Sequence, residues 1–418
     1  NPDLGTFAPR APETRILVEP GIQSSIQLNW VRNPDLDPDT VSERRDSLLQ
    51  NLGLAVLNRR LGEIARADNP PFIKASAGSG SLFDSVDIGS ISAAFTPGGL
   101  TRALETIDQE QRRLVQFGVT QAELDREIAN NRTALENAVQ AAATRSTPGL
   151  ANGLLGAAND DRVFSAPATN LALFEAAVKD LEAAQVDAAV RTVFEGQGPL
   201  ALVITPDPID GGEAGVTAAL HASRAVPVTP RAEQAALEWP YADFGAAATP
   251  SSRSEIAAVG ATVVTFPNGV RLTVKPTKFK DQQILVSVRT GIGEEGLPTD
   301  RFTSQSLAPM VFVPGGLGKL TADELSRVLT GKIYGAGFSI DGDAYQLSGA
   351  TRPADLQLQM QVMAAYLTDP GLRPAPFEQI KAVLPQFVAQ QRATPGGAFA
   401  IDGAGYLASG DKREIFPP

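Results

Sequence analysis

Two stretches of this chain pass through the same succession of patterns, and that repetition limits its architecture more than any single residue does. In the first, Ile26, Leu28 and Trp30 alternate with Gln27 and Asn29, the period-two signature of a half-buried strand. A helix follows, opened by Thr40-Val41-Ser42-Glu43 in the order of a capping box, with Leu48, Leu52, Val56, Leu61 and Ile64 along one face. Two β-type stretches, 72–76 and 86–95, flank a turn rich in Gly and Ser. A second helix carries Leu100, Leu104, Ile107, Leu114 and Phe117 up to Gly118. Thr120-Gln121-Ala122-Glu123 is another capping box, heading a long Ala-rich helix. A helical segment over 171–194 and an apolar strand over 200–204 close the unit.

In the second stretch, Ile284, Val286 and Val288 alternate with polar neighbours, and a loop of Gly and Glu leads to a helix over 304–312. Thr321-Ala322-Asp323-Glu324 opens the next helix. Phe338 to Ile340 and Tyr345 to Leu347 flank Asp341-Gly342 as a hairpin. Leu356, Met360, Met363 and Leu367 mark one helical face, and Phe377, Ile380 and Leu384 mark another. Both units therefore read strand, helical stretch, hairpin, helix, further helix. A repeat of this size predicts duplicated domains rather than a solenoid, whose period is far shorter. The expected class is α+β: two homologous α/β-layer domains, with largely antiparallel sheets and helices on one face. Between them, 206–258 is rich in Pro, Gly, Ala, Ser and Thr and reads as a linker. Trp239-Pro240-Tyr241 is expected to anchor it to a folded surface, and Asn268-Gly269 predicts a hairpin over 262–274.

The side chains available for chemistry are few. There is one histidine, His221, and no cysteine in 418 residues. A catalytic zinc takes three protein ligands, most often His with Glu or Asp, so His221 makes no zinc site and reads as a solvated linker residue. A net charge of −11 argues against binding to a phosphate backbone, and no apolar run reaches the ~20 residues of a membrane span. Asp35-Leu36-Asp37-Pro38-Asp39 imitates the start of a calcium loop, but Thr40 stands where the loop needs Gly and Asp46 where it needs Glu. Those acids read instead as residues favouring a helix N-terminus. Gly315-Gly316-Leu317-Gly318-Lys319 fails the phosphate-loop pattern at both ends, with Val313 at the first Gly and Leu320 after the Lys, and reads as a flexible loop. Glu294 and Glu295, adjacent in an extended stretch, point to opposite faces and form no acid–base pair. A Ser-His-Asp triad has only His221 to offer and no G-x-S-x-G elbow. No independent active site emerges.

The passage Trp239-Pro240-Tyr241-Ala242-Asp243-Phe244-Gly245, followed by Phe266-Pro267-Asn268-Gly269-Val270-Arg271-Leu272, resembles the junction between the halves of long pitrilysin/insulinase-type zinc peptidases. In active halves of that family a strand like 284–289 leads into a helix bearing H-x-x-E-H, whose His pair binds zinc and whose Glu activates water. Here the corresponding pentapeptide is Gln305-Ser306-Leu307-Ala308-Pro309. Gln305 is a poor ligand, Ala308 cannot act as a base, and Pro309 cannot ligate.

The resemblance implies that residues 1–215 are the second domain of a catalytic half. It further implies that 216–258 are the inter-half linker and 259–418 a degenerate third domain, truncated at its C-terminal end. A zinc-bearing domain would precede Asn1 and a fourth domain follow Pro418. The implied function is that of a non-catalytic portion of a zinc-dependent metalloendopeptidase, forming chamber wall and peptide-binding surface. Zinc would belong to the parent protein and none to this stretch, with no catalytic or metal residue here. The alternative is a scaffold subunit without peptidase activity whose partner supplies zinc. Expected partners are a peptide substrate and the two further domains, with no nucleic acid. Self-association is expected through an apolar surface near Trp30 and Leu48. The absence of cysteine is compatible with an exported, periplasmic setting.

Overall fold

The computed structural model describes residues 11–232, 234–300 and 307–413. Strand β1 (Thr14–Val18) precedes β2 (Ser25–Arg32), whose alternation is realised in space. Ile26, Leu28 and Trp30 are buried, while Gln27 and Asn29 lie on the opposite face and bond to one another at 2.8 Å. Helix α1 (Val41–Ala65) follows, then the hairpin β3 (Lys74–Leu82) and β4 (Val86–Ala94). Helices α2 (Leu100–Phe117), α3 (Gln121–Gln140), α4 (Thr147–Asn159), α5 (Pro167–Val178) and α6 (Ala183–Val193) lead to strand β5 (Gln197–Thr205) and helix α7 (Gly212–Ala225).

The sheet order is β1-β5-β2-β4-β3, antiparallel throughout except for the parallel pair β1–β5. Leu28 faces Ile91 on one side and Ala201 on the other. One core unites these strands with α1, α2 and α6 through Leu52, Leu57, Leu104, Ile107, Val186 and Val190. The other sheet face is polar, with Ser76 and Ser92 hydroxyls 3.3 Å apart.

The second unit repeats part of this plan. Strands β6 (Ser252–Ile256), β7 (Ala261–Thr265) and β8 (Arg271–Val274) form a separate antiparallel meander, with Asn268-Gly269 at its second turn. Strand β9 (Ile284–Thr290) leads to the short helices α8 (Ala308–Phe312) and α9 (Ala322–Val328). The hairpin β10 (Gly337–Ile340) and β11 (Tyr345–Thr351) is followed by α10 (Leu356–Thr368) and α11 (Pro374–Arg392). The order β10-β11-β9 matches β3-β4-β2: in each unit the first strand pairs antiparallel with the second strand of the hairpin. Strand Ile284–Thr290 thus takes the place of Ser25–Arg32, and α10 follows its hairpin as α2 does.

Several local expectations change. The stretch 206–258 contains a helix, α7, which buries Val216, Leu220 and Ser223 against the first unit. His221 lies on the exposed side of that helix rather than in a linker. Irregular chain occupies 226–232 and 234–251, and Trp239 and Tyr241 do anchor it. The Tyr241 hydroxyl donates to Asp369 at 2.7 Å and accepts from the Lys319 amide at 2.8 Å. Trp239 Nε1 donates to Gln361 at 3.1 Å. The Gly- and Ser-rich turn after residue 76 is mostly strand β3; the reversal falls at Phe83 and Asp84, both with positive φ. Trp30 is 4% exposed and meets Phe194 edge-on at 5.1 Å, so the apolar docking surface expected around it is covered within the chain. Leu48, the other residue named for it, packs partly buried against the same core.

Side-chain bonds join the two units. Arg66, at the C-terminal cap of α1, pairs with Asp323 on α9, and Thr133 Oγ1 donates to the Gly331 carbonyl at 2.9 Å. Asn130 accepts from the Gly331 amide at 2.9 Å, and Gln379 on α11 donates to the Ala65 carbonyl at 2.7 Å. No helix among the described residues is long and apolar enough to cross a membrane.

Candidate functional site

Of the residues proposed as a degenerate motif, Gln305 lies outside the described residues, while Ala308 and Pro309 open α8. Proline suits the first turn of a helix, where its missing N–H would have found no intrahelical partner. Leu307 precedes the helix without supplying a side-chain cap. The helix packs against β10 and α11. Its last residue, Phe312, stacks on Phe338 with ring centres 4.5 Å apart and approaches Tyr366 at 5.9 Å. The Tyr366 hydroxyl donates to the Val313 carbonyl at 3.1 Å, and burial pushes its pKa up to about 12, with Tyr334 adding to the effect. A methyl group and a pyrrolidine ring offer a metal no donor, and the surroundings are aromatic and aliphatic. Ala308 and Pro309 therefore do not fit a zinc ion, and no hydrolytic step can be routed through them. Among the described residues, no three His, Cys, Asp or Glu side chains converge in a metal-holding group.

The other sequence candidates are engaged structurally. Asp39 accepts from Arg44 Nε at 2.6 Å and from the Val163 amide at 2.8 Å, and the Arg44 bond holds its pKa down at about 2. It is thus half of an ion pair tying the start of α1 to the segment after α4, beyond the helix-terminus role expected of it. The Asp37 amide donates to Asp35 at 2.9 Å, a local turn. Glu294 and Glu295 lie in a 3-10 turn, Gly293–Gly296, whose amides bond to the Asp341 and Gly342 carbonyls, so the stretch is not extended as expected.

The glycine loop 315–319 is polarised against an anion. Its amides are used internally: Gly318 donates to the Asp369 carbonyl, Leu317 to Leu320 and Gly316 to Val313. Its carbonyls face a cation instead, with Arg373 donating to Gly315 at 2.6 Å and to Leu317 at 2.9 Å. Leu317 and Leu320 are buried, so the loop is a packed turn rather than the flexible connection expected from its glycines. Sequence reasoning passed over Arg373 and also Arg126, which lies in no motif; the positions of both gain meaning only from what surrounds them in space.

No family model matches the sequence, and no curated protein matches it. Solved structures do. The periplasmic protease PqqL from Escherichia coli is similar over 96% of this chain and 45% of that chain, at 16% identity and a TM-score of 0.50. A mutant of the ferredoxin protease FusC, in complex with Arabidopsis ferredoxin, is similar over 97% of this chain and 45% of that chain, at 15% identity and a TM-score of 0.56. The chain thus spans under half the length of these proteins. At such identities the likeness concerns the fold, and it extends through both units. Mixed α+β layers, mainly antiparallel sheets and the repeated strand–hairpin–helix order agree with it: this chain shares the fold of the matching part of these two proteases.

Proposed function

We propose that this chain is a non-catalytic portion of a zinc-dependent metallopeptidase, providing chamber wall and a surface that holds peptides. The observation carrying the reading is the fold shared with the proteases PqqL and FusC, which runs through both units. Lending it support, the helix at the motif position begins with Ala308 and Pro309, neither able to bind or activate water at a metal. In this reading the unit ending in α7 braces a zinc-bearing domain elsewhere in the parent protein, and the unit from β6 onward is a degenerate copy.

Three measurements on the purified full chain test this. Elemental mass spectrometry is expected to find no stoichiometric zinc. Fluorogenic peptides are expected to bind, by anisotropy, without being cleaved. One tightly held zinc per chain, or cleavage abolished by a chelator, would overturn the non-catalytic reading. Absence of any peptide binding would leave the fold serving as scaffold alone.

A further inference from the structure

A cleft of about 460 Å³ opens where the two units meet. Helix α1 with its C-terminal cap, and helix α3, supply its polar wall through Arg59, Glu63, Arg66 and Arg126. The second unit supplies an apolar wall that includes Val313, Leu325, Tyr334 and Tyr366.

The charges on the polar wall are nearly all committed. Arg59 Nε holds Glu127 at 2.6 Å, and Arg60 takes Glu123 through two bonds at 2.8 and 2.6 Å. Glu63 is held by Arg231 and by Gln234, the latter at 3.2 Å. Asp323 pairs with Arg66. Arg126 stands among the same acids, with Glu63, Glu127 and Glu123 all near enough to act on it, yet each belongs to another arginine. Among the described residues Arg126 has no ion-pair partner, and its Nε is buried with no hydrogen bond. Burial and the neighbouring Arg59 charge lower its pKa below the usual arginine value. A buried donor left unmet costs about 1–3 kcal/mol, more when it is charged, so an acceptor reaching it would be favoured. Across the cleft, the Tyr334 hydroxyl is likewise without a hydrogen bond among the described residues, and burial raises its pKa, keeping it a donor.

A planar guanidinium with free N–H groups matches a carboxylate in geometry and charge. The aromatic and aliphatic wall opposite favours an apolar body attached to that carboxylate. We infer that this cleft binds a carboxylate carried on an apolar group, the chemistry of a peptide C-terminus ending in an apolar residue, with Arg126 as its principal contact. The site lies apart from Ala308 and Pro309 and stands whether or not the parent protein is a peptidase.

Calorimetry on the full chain can test it with acetyl-Ala-Phe as the free acid, its C-terminal amide, and inorganic phosphate. The free acid is expected to bind one per chain, and the amide and the Arg126→Met variant each to bind about tenfold or more weakly, the scale of a lost charge-assisted bond. Arg126→Lys keeps the charge without the planar fork and is the second variant should Met disturb folding; it too is expected to weaken binding. Tyr334→Phe should weaken it several-fold. Equal binding of acid and amide, or unchanged binding in both Arg126 variants, would overturn the site. Phosphate binding as tightly as the free acid would overturn the apolar-body assignment. Peptides that still bind, untouched by these variants, would remove this site and leave the proposed function standing.

Discussion

Asp39 illustrates how a residue with a local role in sequence acquires a distant one in the fold. Its carboxylate bonds Arg44, five residues on, and the Val163 amide far along the chain. Because Arg44 holds its pKa near 2 against an ordinary 3.8, the folded state favours the ionised form. The stabilisation is therefore fully present above about pH 4 and is lost as pH falls through about 2. A shift of that size corresponds to about 2 kcal/mol, an upper bound because the Arg44 guanidinium is partly exposed. Asp39→Asn is expected to lower stability toward neutral pH in urea titrations, with the gap to the native chain closing between pH 4 and pH 2. A gap that stays constant across that range would show the bond contributes nothing. The candidate residues divide in the same way: Ala308 and Pro309 could be singled out in the sequence because a motif position can be read letter by letter. Arg126 could not, since what sets it apart is that the three carboxylates around it are claimed by other arginines.

Elements were legible in proportion to how locally they are determined. The boxes at Thr120 and Thr321 close in both directions, as their spacing predicts. At Thr40 only half forms: the hydroxyl accepts from the Glu43 amide at 3.2 Å, and Glu43 makes no return bond. Burial, and after it the charges of Asp35, Asp46 and Asp37, raise the pKa of the Glu43 carboxylate. Helix α4 went unread because it buries no side chain and so has no apolar stripe to announce it. Strand β1 is short, with most of its residues exposed, and its place is set by β5. Helix α7, by contrast, carried a readable Val216, Leu220, Ser223 spacing inside a composition that suggested linker. Where elements meet, two glycines set the approach. At Gly89 a Cβ would sit 1.8 Å from the Val193 carbonyl, and at Gly118, with φ at 71°, it would sit 2.0 Å from Asp187. Gly118→Ala is expected to cost more than about 2 kcal/mol, through strain at that φ and displacement of the Asp187 carboxylate that caps the Val119 amide. Gly80→Ala in β3, where nothing stands within 4 Å, should change stability by less than about 1 kcal/mol. Equal losses in denaturant melts of the two variants would refute the packing argument.

At the scale of the molecule, the repeated strand–hairpin–helix order was visible in the sequence because it rests on periodicity. The pairing of the units was not, because it rests on bonds such as Thr133 to Gly331 between positions that carry no pattern. The same distinction governs the first sheet. Strands β1 and β2 are neighbours in the chain but not in the sheet: β5 lies between them, placing Thr14 beside Ala201. Contacts so distant in sequence carry a loop-closure cost before any stabilisation arrives. The nearby strands β2, β3 and β4 can pair early, so pulse-labelled hydrogen exchange during refolding should protect β4 amides before those of β1. Simultaneous protection would count against that order. For a chain emerging from a ribosome, the consequence is one of timing. Strand β1 leaves the exit tunnel long before β5, its only strand partner among the described residues, has been synthesised, and until then it lacks that pairing and is open to chaperones and to other nascent chains.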